Sequence, residues 1–256
     1  MQLIDSHTHL YLPEFNDDRV EIIRRALNSD VTKMLLPNID RDSVLPMLRM
    51  VDTYPGICYP MIGIHPTSIK DDYREQLKAV RSNLDKHDFV AIGEIGIDLY
   101  WDKTYRKEQE MAFTEQLNIA SEENLPVVIH SRNSLETILN LLDDIGIRDL
   151  RGVFHAFTGN TEEADEIISR GFLIGIGGIL TFKNSDLDKT IKSIGLENII
   201  LETDSPYLAP VPIRGKRNES AYIRFIADRL GEIKNLPVEE IARITSSNCI
   251  RLFNLE

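Results

Sequence analysis

The chain carries six histidines, His7, His9, His65, His87, His130 and His155, and five of them follow short apolar runs. LID precedes the His7–His9 pair, PMIGI precedes His65, VVI precedes His130 and GVF precedes His155. Only His87 falls near the end of a helical pattern, where it reads as a solvated residue. Two residues apart on a strand, His7 and His9 would point the same way and could share one metal ion. Alone, such a pair reads more readily as two polar surface residues on an edge strand than as a metal site. Glu94 stands between glycines in AIGEIGID, where a carboxylate is either buried and paired or a ligand. Asp204 in LETDSP is a donor or a turn cap ahead of Pro206. His130 and His155 would each pass singly for core histidines; at matching ends of adjacent strands they point to ligation. Imidazole with carboxylate suits Zn, Mn, Fe or Ni, and Mg where waters complete the shell. Six donors exceed the roughly three protein ligands of a single catalytic ion. Two ions sharing a carboxylate would use them all, an arrangement suited to in-line displacement at phosphorus or to hydrolysis at a carbonyl.

Holding these residues together requires a scaffold that brings many strand ends to one face. Short apolar runs alternate with helical patterns along the whole chain. The strands are expected at QLIDSH, VTKMLLP, GICYPMIGIH, FVAIGEIG, LPVVIH, RGVFHAF, FLIGIGG and NIILETD. Between them, RVEIIRRALNS has apolar residues on a helical period, Asp40 is placed to cap a helix through Leu48, and DDYREQLKAVRSNL is a charged amphipathic helix. Further helices are expected at 105–123, 134–144, 162–170 and 186–194, with Asn160 and Glu163 at capping-box spacing. Two helices close the chain, the last opening at Pro237. Eight strand–helix units predict an α/β fold, a (β/α)8 TIM barrel forming a single domain over residues 1–256. An open doubly wound sheet would want a glycine-rich turn after the first strand, where His-Thr-His stands instead. In a barrel the C-terminal strand ends form one face, and active sites are built there.

With 42% hydrophobic residues the chain can bury a sizeable core. Its 29 Lys and Arg against 41 Asp and Glu leave a formal charge of −12, which argues against a nucleic-acid-coating or polybasic membrane-binding protein. Metal ions could still supply positive charge locally. Cys58 and Cys249 are too few and too far apart for a disulfide framework or a cysteine-based zinc site, and two buried thiols are expected. The opening MQLIDSHTHLYLPEF lacks the basic-then-apolar layout of a signal peptide, and no apolar stretch reaches the ~18–20 residues of a membrane span. The expectation is a cytoplasmic monomer with no membrane association.

The motifs SHTHL, GIHP, AIGEIGID, VVIHSR, FHAFTG and LETDSPYLAP, in that order between residues 6 and 210, resemble the TatD family of metal-dependent deoxyribonucleases. IRGKRNES is similar to that family's Arg-Gly-x-x-Asn-x-Pro segment, with Ser220 where the family usually has Pro. Ser220 is expected in a loop, with little effect on chemistry. The resemblance implies an amidohydrolase-type barrel with two divalent ions (Zn2+, Mg2+ or Mn2+). His7, His9, Glu94 and Asp204 would hold one ion, and Glu94, His130 and His155 the other. His65 would touch the substrate phosphate without being a ligand. Glu94 stands where related amidohydrolases often carry a carbamylated lysine, which favours the nuclease branch. The implied reaction is cleavage of DNA phosphodiesters, as a 3'-5' exonuclease acting on strand ends or single strands. Asp204 is then the best general base, beside the nucleophile. Arg132 is a phosphate contact or a solvated first-turn residue, and Asp98 a partner to a ligand or a turn residue. Arg214, Lys216 and Arg217 either touch the DNA backbone or form a solvated loop. The alternatives are a hydrolase of a small phosphoester, amide or lactone, and a non-catalytic metal-binding barrel.

Overall fold

The computed structural model of the chain describes residues 1–147 and 149–255. Of the expected 1–256 domain, positions 148 and 256 lie outside the described residues. Among the described residues, eight strands form one parallel sheet in sequential order: β1 (Leu3–Asp5), β2 (Val31–Pro37), β3 (Cys58–Ile62), β4 (Ala91–Asp98), β5 (Val127–Arg132), β6 (Gly152–Phe154), β7 (Leu173–Ile176) and β8 (Ile199–Leu201). The helices between and after them are α1 (Arg19–Asn28), α2 (Val44–Thr53), α3 (Tyr73–Leu84), α4 (Arg106–Glu122), α5 (Leu135–Ile145), α6 (Thr161–Ser169), α7 (Leu187–Ser193), α8 (Ile223–Lys234) and α9 (Val238–Phe253). The first and last strands meet, so the sheet forms a nearly closed barrel. Ser6 N donates to Leu201 O at 3.1 Å, Asp204 N to His7 O at 2.9 Å, and Thr8 bridges Ser205. None of the described helices is long and apolar enough to cross a membrane.

Alternation along each strand sorts the side chains. Ile4, Leu35, Met61, Ala91, Val128, Val153 and Ile200 form the inner cluster, with Leu173 packed against it. Cys249, Leu252 and Phe253 of α9 join that cluster and plug the end of the barrel away from the histidines. The outward apolar residues pack beneath the helices in a second, larger cluster. Both cysteines are buried and free. The capping box before α6 is present: Asn160 Oδ1 accepts from Glu163 N at 2.9 Å, and Glu163 Oε2 accepts from Asn160 N at 2.8 Å. Asp40 caps a short 3-10 turn, Arg41–Ser43, that leads into α2.

The strands are shorter than the sequence suggests at the end that matters. β1 stops at Asp5, β3 at Ile62, β6 at Phe154 and β8 at Leu201. His7, His9, His65, His155 and Asp204 therefore stand one to four residues beyond their strands, where single backbone bonds such as His155 N to Ile129 O and His9 N to Ser205 O replace the regular ladder. The H-x-H pair is thus not on a strand, although its side chains still converge.

Candidate metal centre

Two steps above the inner apolar layer, alternation delivers polar groups. His130 follows Val128, His155 follows Val153, and Glu202 and Asp204 follow Ile200. Glu94 needs a departure from alternation. The β4–β5 register shifts between Ile92 and Ile95, and this irregularity turns Glu94 into the barrel. His7 gains its direction because the chain leaves the ladder after Asp5.

The cluster converges on Glu94, which is buried. Its Oε1 lies 2.9 Å from His130 Nδ1, 3.2 Å from His155 Nε2 and 3.4 Å from His65 Nε2. Its Oε2 lies 3.1 Å from His7 Nε2 and 3.9 Å from His9 Nε2. Asp204 Oδ1 stands 3.6 Å from His9 Nε2 and 3.9 Å from His7 Nε2. His7 Nε2 and His9 Nε2 are themselves 3.3 Å apart. Donors 2.0–2.1 Å from a tetrahedral ion are separated by about 3.4 Å. The observed spacings bracket that edge, so the donor set fits divalent ions. Three overlapping groups of donors could each hold one: His7, His9 and Glu94; His7, His155 and Asp204; and His65, Glu94 and His130.

The partners behind the imidazoles differ. Tyr11 OH donates to Pro37 O at 2.6 Å, so at 3.1 Å it receives the proton of His9 Nδ1, leaving the Nε2 lone pair free for an ion. His130 Nε2 faces Asp98 Oδ2 at 3.0 Å, which frees Nδ1 towards Glu94. His155 Nδ1 faces Glu202 Oε1 at 3.2 Å, outside hydrogen-bond alignment, and its Nε2 faces the pit. His65 is the opposite case. Its Nδ1 accepts from Thr67 N at 3.2 Å, so a neutral ring carries its proton on Nε2, which stands 3.3 Å from His130 Nδ1 and 3.4 Å from Glu94 Oε1. By distance His65 ranks with the other histidines, and it belongs to one of the three groups that could hold an ion. His7 Nδ1 is buried without a hydrogen-bond partner among the described residues.

Charge follows geometry. Burial would raise the Glu94 pKa, but the imidazoles of His155, His65 and His7 hold it well below the usual carboxylate range. Burial likewise opposes ionisation of Asp204, yet the His9 hydrogen bond and the histidine charges hold its pKa down. Burial lowers His65 and His7. Burial also works against protonated His130 and His155, but Asp98 and Glu94 raise the first, and Glu94 and Glu202 raise the second well above its ordinary value. Two ionised carboxylates among imidazoles make an attractive well for a cation that displaces their protons.

The cluster floors a cavity of about 470 Å³, lined also by Trp101, Arg132, Tyr207 and Leu208. A larger hollow, about 780 Å³, lies off the rim beside α1 and α2 and is lined by Asp17, Asp18, Asp40 and Asp42. Among the described residues it includes no member of the histidine cluster and offers no comparable donor set.

Of the residues expected from the sequence, His7, His9, His65, Glu94, His130, His155 and Asp204 meet, and Arg132 joins them at the rim. Arg214, Lys216 and Arg217 are exposed but do not line this cavity among the described residues. Arg217 Nη2 is paired with Asp18 Oδ2 at 2.5 Å, and Arg214 lies over the Phe182 ring at 4.3 Å. Ser220 is no free loop residue. It is buried in a 3-10 turn, Ser220–Tyr222, and its hydroxyl reaches Thr8 Oγ1 at 3.4 Å, next to the H-x-H pair. Tyr11 and Glu202 escaped sequence reasoning. The available signal was spacing: each stands two residues from a donor, His9 or Asp204.

The sequence matches the family model described as TatD related DNase over residues 4–254. It is 37% identical over 254 residues to the uncharacterized metal-dependent hydrolase YabD of Bacillus subtilis, covering 99% of each chain. It is 33% identical to the uncharacterized metal-dependent hydrolase YcfH of Escherichia coli, covering 100% of this chain and 97% of that one. The crystal structure of the TatD homologue YjjV from Escherichia coli superposes with a TM-score of 0.93 at 28% identity, covering 99% of this chain and 98% of that chain.

Proposed function

The chain belongs to the family of TatD-related DNases, and from that premise we propose that this metal-dependent hydrolase cleaves the phosphodiester bonds of DNA, as a 3'-5' exonuclease on strand ends or single strands. The observation that carries the reading is the division of Glu94: one oxygen faces His130 and His155, the other His7 and His9. In this proposal His7, His9, Glu94 and Asp204 hold one divalent ion, and Glu94, His130 and His155 a second. When bound, such ions supply Lewis acidity at the phosphoryl oxygens and an acidified water at neutral pH.

The rest falls to the chain's own side chains. Asp204, held ionised among the histidines, receives the proton of the attacking water at its carboxylate. The Nε2–H of His65 donates to a phosphoryl oxygen and offsets the charge that grows there. Arg132, on the rim of the same cavity, holds a neighbouring phosphate. The walls formed by the loops after the strands admit a strand end or a single strand more readily than the middle of a stiff duplex.

The test is digestion of a 5'-labelled single strand, a linear duplex and a closed circular duplex with the as-purified enzyme, with and without chelator. The expected result is a ladder shortening from the 3' end, lost on chelation and restored by a divalent ion. Rapid cutting of the closed circle, or full activity after complete chelation, would overturn the proposal.

A further inference from the structure

The rim of the cavity carries aromatic residues that the proposed cleavage leaves unused. Tyr100 and Trp101 follow β4, with ring centroids 4.9 Å apart at 87°, and they are 53% and 69% exposed. Arg132, the last residue of β5, lays its guanidinium 3.9 Å above the Tyr100 ring and 5.2 Å from that of Trp101. Tyr207 follows β8, which lies across an eight-stranded ring from β4. It is 48% exposed and stands 6.2 Å from the His9 ring. Trp101, Arg132 and Tyr207 line the same cavity as Glu94 and Asp204.

This aromatic corner is tied to the metal centre. Asp98 Oδ1 accepts from the backbone N–H of Tyr100 at 2.9 Å and of Trp101 at 3.3 Å, while its Oδ2 faces His130 Nε2 at 3.0 Å. One buried carboxylate therefore fixes the rim at a set position relative to a proposed ligand. Two exposed rings held so beside a cation have a use that packing does not supply. A ring face accepts any base, and a guanidinium beside it accepts a phosphate. In a chain of net charge −12, that local cation over aromatic faces favours an anionic polymer that carries its own rings.

We propose that Trp101, with Tyr100 and Tyr207, is a stacking platform for an unpaired nucleobase, and that Arg132 draws the adjoining phosphate down to the pit. This rests on the phosphodiesterase reading and adds to it the subsite that selects single strands. In a duplex both faces of an interior base are covered by its neighbours, so the platform has nothing to grip. Stacking is indifferent to base identity, so the preference is for unpaired over paired, with little sequence bias.

Trp101 is the single tryptophan of the chain, so intrinsic emission reports on this subsite alone. The as-purified enzyme is mixed rapidly with a short oligothymidylate or with an abasic oligomer of the same length, and emission is followed through the first turnover. The oligothymidylate should quench and the abasic backbone should not. Trp101→Ala should raise KM for the oligothymidylate, since losing one base stack costs roughly five- to hundred-fold in binding. Trp101→Phe should recover most of it, and Tyr207→Ala should raise KM in the same direction. Trp101 is largely exposed, so its truncation leaves the core untouched. Equal quenching by the abasic oligomer, or an unchanged KM in Trp101→Ala, would overturn the platform. An enzyme that cuts the oligonucleotide without quenching sinks the platform alone. One that is quenched by bases but cuts no oligonucleotide sinks the nuclease reading and keeps the platform.

Discussion

Glu94 is the residue on which the proposed site turns, because its two oxygens face different imidazoles. Glu94→Ala should lower the metal content of both sites, measured by elemental analysis of the purified variant. Loss of one equivalent alone would show that Glu94 does not bridge. Asp204 has a separable part. Asp204→Asn keeps the shape of the side chain and removes its capacity to take a proton, so turnover should fall by about 10²–10⁴-fold while the circular dichroism spectrum stays unchanged. A rate within a few fold of the parent would remove Asp204 from the base role. Behind the donors stand Tyr11 and Asp98, each placed to fix one ring's tautomer and orientation, with the Glu202 carboxylate beside His155 Nδ1.

At the scale of elements, the barrel keeps chemistry and stability at opposite ends. The strand ends carry the donors, and α9 seals the other end through Cys249, Leu252 and Phe253. Phe253 is buried, so Phe253→Ala should cost about 3–5 kcal/mol in chemical denaturation. The folded fraction should keep its turnover number, since the change lies at the far end of the barrel. A large drop in kcat of the folded protein would mean that the plug shapes the site. Short strands matter to function here. Where the ladder stops, the backbone is free to adopt the non-ladder geometry that points His7 and His9 at one spot.

For the whole molecule the governing quantity is charge. A chain at −12 gains nothing from broad adhesion to DNA, and the site must draw phosphate by local means. Arg217 is paired with Asp18 and lies over the Phe15 ring at 4.8 Å, which leaves Arg132 as the cation lining the pit among the described residues. About one or two phosphates are then neutralised. The logarithm of affinity for a single strand should fall with the logarithm of salt at a slope of roughly −0.7 to −1.4. A slope several times steeper, from anisotropy titrations in a salt series, would mean that a basic surface beyond Arg132 takes part.

The sequence alone determined the barrel, because eight apolar runs alternating with helical periods leave few other ways to bury both faces of a parallel sheet. It also singled out the seven residues that meet at the pit, since imidazoles and carboxylates directly after apolar runs are rare without a reason. Tertiary structure decided what spacing could not. The direction of Glu94 depends on a register shift against β5, and that of His7 on where β1 leaves the ladder. Strict alternation would have turned both away. The separate role proposed for His65 rests on the proton of a turn amide, Thr67 N–H, which its Nδ1 accepts. The fate of the basic segment rested on Asp18, nearly two hundred positions away in the chain, which claims Arg217. Local pattern fixes which face of an element is apolar. Tautomers, ion pairs and rim geometry come from neighbours that only the closed barrel brings together.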